Sequence, residues 1–421
     1  MPVTLYLLWQ LYFPYTIRNM RYIAFFTVLT LLFGSLASAT ANESSISEAV
    51  QKTIDRITEL NGRYTLTPEN TIRTIEFADG GNLNAEAFDL FAQQGDLESL
   101  RVINYRELSD ADVAKLEGLT KLRTLALTNS GISNDAVRMI AEFFPNLVNL
   151  NLSSNARLTD AAAREITKLR ELETLELLFC DFGEFAMLHI ASLPKLRILD
   201  IRANMTIGNG GMRTLARLPA LRALRHRSSA VTDDGMRALA EAPAMTDLFI
   251  QDFSITSQSG QYLRQMERLT TLTIFRCEGF DSRGLLELRG LRLTRLVLRG
   301  LPVDNSAMEV FDELTTLRRL ELHELHSVSD AGMANLAHLE NLEFLDIWDT
   351  PVADRTVEVI AKLPALRTLQ LRATEITDES LELLLSMPSL ESVRLENNAH
   401  VTPGAIQKLR DAEKFTVVSL P

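Results

Sequence analysis

The sequence predicts an α/β solenoid, a horseshoe in which parallel strands line the inner face and short helices the outer one. Three observations carry that prediction. A Leu-x-x-Leu-x-Leu hexad or close variant starts at Ile72, Leu97, Leu122, Leu147, Leu172, Leu196, Leu221, Met245, Leu269, Leu293, Leu317, Leu342, Leu366 and Leu390, and every step is 24 or 25 residues. These fourteen units run from 72 to 413, and so long a run without a slip of phase marks a stacked repeat. After the hexad comes an apolar pattern with helical spacing, clearest at Met236, Leu239 and Ala240, where Thr232 or Asp233 can cap the helix start. Composition is the third: with 46% apolar, 23% charged and 7% aromatic residues, the chain is not disordered, collagen-like or a polytopic membrane protein. A chain of 421 residues would ordinarily divide into two or three domains, but a stack of repeats escapes the size limit of a single core. A net charge of -12 argues against a nucleic-acid partner.

Taken in order, the elements begin with an export signal over residues 1–41. Met20-Arg21 precedes an apolar run from Tyr22 to Ala37, and Ser38 to Ala41 supply small residues for cleavage after Ala39 or Ala41. Residues 1–19 make a poor n-region, which marks Met20 as a candidate start. The expected location is secreted or periplasmic, and membrane contact is expected only if the segment stays uncleaved as an anchor. Its removal takes Arg18 and Arg21 but no acid, leaving a formal charge of -14. Residues 42–71 read as an amino-terminal helical cap, with a capping box at Ser45-Ile46-Ser47-Glu48. Ile46, Val50, Ile54, Ile57 and Leu60 fall on one face, and the helix ends at Asn61-Gly62. In the repeats, hexad positions one, four and six face the helices in a shared core. Helices are wider than the strand spacing of about 4.8 Å, so the stack must curve with its strands inside. Residues 414–421 are expected to close the far end with a strand, Phe415, Val418 and Leu420 repeating the pattern 25 residues after Leu390.

Beyond the hexads, the chain carries Ile376-Thr377-Asp378 and the pairs Leu363-Pro364, Leu193-Pro194 and Leu218-Pro219. With these features the sequence resembles the leucine-rich repeat family, in its ribonuclease-inhibitor-like subclass and specifically its bacterial and F-box-associated repeats. The resemblance covers the repeats only. The family's ubiquitin-ligase adaptors need an F-box or catalytic domain, for which the residues ahead of the repeats are too few. At the ninth position of each unit the family places Asn, Cys, Ser or Thr to satisfy loop backbone groups. Here that position holds Ser130, Asn155, Cys180, Asn204, Ser229, Cys277, Thr350, Thr374 and Asn398. Cys180 and Cys277 are four repeats apart, about 19 Å at one strand spacing per repeat, and are expected to be free, buried and structural.

No cofactor is expected, because no Gly-rich phosphate loop, Gly-x-Ser-x-Gly elbow or Cys-x-x-Cys occurs, and the chain is read as a non-enzyme. The densest group of candidate ligands is Glu321, His323 and, on the next strand, Asp346. Alternation places them on the inner face, either as a solvated polar surface or as a metal or acid-base site. His226 stands where the core pattern expects Leu or Ile, among Arg222, Arg225 and Arg227.

Positions three, five and seven of each strand point into the concave surface. Position seven is mixed in the first half but, Gln251 apart, cationic or aromatic from Arg202 to Arg372. That half supplies the candidate ligand-binding residues Arg202, Arg227, Phe275, Arg299, His323, Trp348 and Arg372, with Phe249 at position five. Arg, Trp and Phe dominate the centres of binding interfaces, while arginines paired to neighbouring carboxylates would be a purely structural alternative. The sequence therefore reads as a recognition protein whose concave face binds a macromolecule, most naturally an acidic protein segment and alternatively an anionic glycan.

Overall fold

The structure, a computed structural model, describes residues 46–420; the export signal read at 1–41 lies outside the described residues. Among the described residues, sixteen strands form one sheet in sequence order. They are β1 (Arg63–Leu66), β2 (Ile72–Phe77), β3 (Ser99–Ile103), β4 (Thr124–Thr128), β5 (Asn149–Asn151), β6 (Thr174–Glu176), β7 (Ile198–Asp200), β8 (Ala223–Arg227), β9 (Asp247–Gln251), β10 (Thr271–Phe275), β11 (Arg295–Arg299), β12 (Arg319–His323), β13 (Phe344–Trp348), β14 (Thr368–Arg372), β15 (Ser392–Glu396) and β16 (Thr416–Leu420). From β2 onward all pairs are parallel, fifteen strands in all, and a short α- or 3-10 helix follows each strand from β2 to β15. The predicted α/β solenoid is the observed fold.

The hexads make one continuous core. In β10 and β11, Leu272 lies opposite Leu296 and Ile274 opposite Leu298, all fully buried. The loops and helices close each unit over them, so the core leucines pack against the repeats on both sides.

Two polar ladders hold neighbouring repeats in register. Asn155 Nδ2 donates to the carbonyls of Leu127 and Leu152 at 2.8 and 2.9 Å, while its Oδ1 accepts from the Ser130 amide at 2.8 Å. Asn204 and Asn398 bridge their neighbours in the same way. The second ladder explains Ile376-Thr377-Asp378: Ile376 is buried, Thr377 caps the helix Asp378–Ser386, and Asp378 accepts from the Thr402 amide and hydroxyl of the next repeat, both at 2.8 Å. One repeat earlier, Asp354 receives the Thr377 amide and hydroxyl and the Ser380 hydroxyl.

Several local expectations differ from the structure. The helix Glu48–Glu59 is capped by Ser47, whose hydroxyl accepts from the Val50 amide, so the cap lies two residues beyond the expected Ser45. After it comes β1, antiparallel to β2, a strand hidden in a segment read only as helical. Gly62 is required between them, since a Cβ there would sit 2.5 Å from the Phe77 ring. At the other end, Val417 rather than Val418 lies opposite Val393, so the last step is 24 residues. The adjacent apolar residues Val417 and Val418 permit either phase, and backbone pairing selects one.

His226 is fully buried, its Nε2 2.9 Å from the Ile207 carbonyl and Nδ1 3.3 Å from that of Ile201, with its ring edge-on to Phe253. The wider ring displaces the ladder: Ser228, not the exposed Ser229, is buried and donates to the Met205 carbonyl at 2.7 Å. Cys277 is buried and Cys180 only half-buried; both are free, with the Cys180 thiol donating to the Leu152 carbonyl at 3.3 Å. Cys180 is thus less enclosed than expected, and Phe179 beside it is 41% exposed.

Candidate functional site: the concave row

The site is built by strand register. Phe275, Arg299, His323, Trp348 and Arg372 end β10 to β14 and lie directly opposite one another. Alternation turns the leucine or isoleucine before each of them into the core and these side chains to the inner face. The row is stacked. The Arg299 guanidinium lies 4.4 Å from the Phe275 ring centre and 4.8 Å from that of Trp348, and Arg372 covers Trp348 at 5.4 Å. His323 meets Trp348 edge-on at 5.7 Å. Arg202 and Phe249 form a separate pair, 5.2 Å from guanidinium to ring centre. Arg227 reaches the larger row indirectly, sharing Asp252 with Arg276, which stacks over Phe275.

The arginines are not bare cations. Arg202 is held by Asp200 at 2.7 Å, Arg299 by Glu324 at 2.9 Å and Arg372 by Asp346 at 2.8 Å. Asp346 stands out in the sequence as a candidate site residue, whereas Glu324 and Asp252 do not. Both stand at the eighth repeat position, with φ of 55°, a left-handed turn that brings them back beside the concave row. Nor is the row a freely solvated surface: Phe275 and His323 are buried, and the other named residues are half-buried. Stacking and ion pairing across strands about 4.8 Å apart cover much of each side chain.

Glu321, His323 and Asp346 present ligand atoms within 4.8 Å of one another, all buried rather than solvated. Arg295 and Arg319 both engage Glu321, at 2.9 and 2.7 Å, and Arg372 engages Asp346. Three guanidiniums against two carboxylates leave the group net positive, so a metal ion would add repulsion in a region of low dielectric. The donor set does not suit a metal. Burial alone would push the Asp346 carboxyl up, but His323 and the Arg372 guanidinium outweigh it and hold it below the usual carboxylate range. His323 Nε2 lies 3.4 Å from Asp346 Oδ2.

No family model matches the chain. Among solved structures, it is similar to an internalin from Listeria monocytogenes, at 18% identity over 89% of this chain and 95% of that one, with a TM-score of 0.52. It is similar also to a chain of the yeast Rad7 and Elc1 complex, at 22% identity over 74% of this chain and 78% of that one, with a TM-score of 0.52. These are leucine-rich repeat proteins, and at such identities the likeness is one of fold. The molecule described here is a leucine-rich repeat solenoid.

A feature that strand-based reading passed over lies on the helical side. Phe185 and Leu188 of the helix Glu184–Ile190 are 72% and 58% exposed. Aligning the repeats by their buried helix residues would have found them, because the equivalent positions before and after hold Ala161 and Gly210, and Arg164 and Arg213.

Proposed function

We propose that this chain is a non-enzymatic, exported recognition protein of the ribonuclease-inhibitor-like type whose concave face binds another protein. One observation carries the reading: the stacked row Phe275–Arg299–Trp348–Arg372, which sets rings and guanidiniums side by side on an inner surface. Such residues are the usual anchors of an interface, and guanidiniums already oriented by carboxylates lose little freedom on binding. The yeast structure of the same fold is itself a two-protein complex. An acidic segment remains the favoured partner, with carboxylates that compete with Glu324 for Arg299, whereas an anionic glycan would stack its rings on Trp348 instead.

Binding of the cognate partner, measured by calorimetry, tests this. Trp348→Ala and Arg299→Ala should each weaken it by at least about 2 kcal/mol, with Thr128→Ala and Ser153→Ala as neutral controls from the first half of the row. Because Arg299 and Arg372 both lean on Trp348, its removal should also cost about 0.5 to 2 kcal/mol of stability. Affinity should fall with added salt if the partner is acidic. Unchanged affinity in a Trp348, Arg299 double variant would exclude the row as the binding surface.

A further inference from the structure

We propose that the convex helical wall around the helix Glu184–Ile190 docks on an anionic lipid surface, a role separate from the concave row. The argument begins with repeat equivalence. Ala186, Met187 and Ile190 are the buried residues of this helix, as Ala162, Ala163 and Ile166 are before it and Gly211, Met212 and Leu215 after it. The outward column that these triplets define runs Arg164, Leu188, Arg213. Beside it runs Ala161, Phe185, Gly210, so that Phe185 projects between two small residues.

Burial of a phenylalanine and a leucine normally drives folding; here both stand in water at 72% and 58% exposure, separated by one helical turn. Cations flank them. Arg164, Arg213 and Arg217 have no carboxylate within ion-pair distance among the described residues, whereas Arg138 and Arg237, farther along the same column, are paired with Asp135 and Asp234. The nearest acid on the helix itself, Glu184, is spent on the amides of Gly208 and Gly210 at 3.2 and 3.0 Å.

Two apolar side chains standing out singly, between unpaired arginines, complement a leaflet better than a protein groove. A fluid acyl boundary accepts protruding side chains without a matching pocket, and anionic headgroups supply the missing counter-charges. A second copy of the chain would bring the same excess of arginine to the interface.

Hydrogen exchange of the full chain tests this locally, so that insertion of the apolar run at 22–37 is not mistaken for docking. Vesicles of phosphatidylcholine with about one third phosphatidylglycerol should slow exchange in the Glu184–Ile190 segment at least about threefold, and pure phosphatidylcholine should not. The effect should vanish in Phe185→Ser, Leu188→Ser and fall sharply in Arg164→Glu, Arg213→Glu, with exchange in β11 to β14 unchanged. Equal exchange with and without anionic vesicles, or protection that survives both double variants, would overturn the proposal. So would protection that needs no lipid and rises with protein concentration alongside a dimer in sedimentation, or protection produced by polyglutamate but not by vesicles.

Discussion

His226 shows how one side chain can break a repeat rule and remain in the core. Burial depresses its affinity for a proton, more than the carbonyls of Ile207 and Ile201 restore it. A histidine with a folded-state pKa below its unfolded value binds fewer protons when folded. Its contribution is intact above the unfolded value of about 6.5 and is lost as pH falls below it. Urea unfolding should therefore show stability declining between pH 7 and 5, and His226→Leu should flatten that slope even if it lowers stability at pH 7 by stranding the Ile207 carbonyl. An equal slope in both proteins would contradict the assignment. The thiols make a second residue-scale case. Burial pushes Cys180 up to about 11 and Cys277 up to about 12, so neither is a thiolate at neutral pH. A disulfide reagent at pH 8 should react slowly with the native chain and with both thiols after denaturation.

Each strand-to-loop element ends on an unusual backbone. In twelve of the fourteen repeats the eighth residue adopts a positive φ, and only Gly300, at 58°, is a glycine. The turn is imposed by stacking, since each strand must release its chain at the same point to reach its helix. Left-handed backbone costs a residue with a Cβ roughly 1 to 2 kcal/mol, so Gly300→Val should destabilise by about that amount while Ala373→Gly should be neutral or slightly stabilising. Thermal melts would check the pair. In the strand itself, Leu272→Ala or Leu296→Ala should cost about 2 to 5 kcal/mol, because each fills a core shared with two neighbours.

At the scale of the whole molecule, stability is summed along the stack, with the polar ladders bridging many of its junctions. Burial pushes the Asp354 carboxyl up, but the bonds from Ser380 and Thr377 prevail and leave it below its ordinary value. A carboxylate depressed in this way stabilises the fold above about pH 4 and loses that contribution as pH falls through the folded value. Asp354→Ala should cost about 1 to 3 kcal/mol at pH 7, and the deficit should shrink on acidification toward pH 3. A deficit independent of pH would assign the loss to packing. Such a break weakens one junction and should broaden the unfolding transition, because each repeat is held only by its neighbours.

The hexad spacing alone determined the solenoid, its strand order and the leucine core, because alternation and period leave a stacked repeat one way to bury its apolar residues. It also determined that Arg299, His323, Trp348 and Arg372 share a row, since equivalent positions in a parallel sheet without slips must align. Their interactions were decided by the tertiary structure. The left-handed eighth residues return Glu324 and Asp252 to the arginines, Arg299 reaches two rings on different strands, and Glu321 collects two guanidiniums that make a metal site unfavourable. The displaced ladder at Ser228, the strand β1 and the exposure of Phe185 and Leu188 likewise depend on side-chain volume and on what the adjoining repeat presents. Periodicity specifies where a residue stands in the stack; only the packed neighbour specifies whether it is paired, covered or left in water.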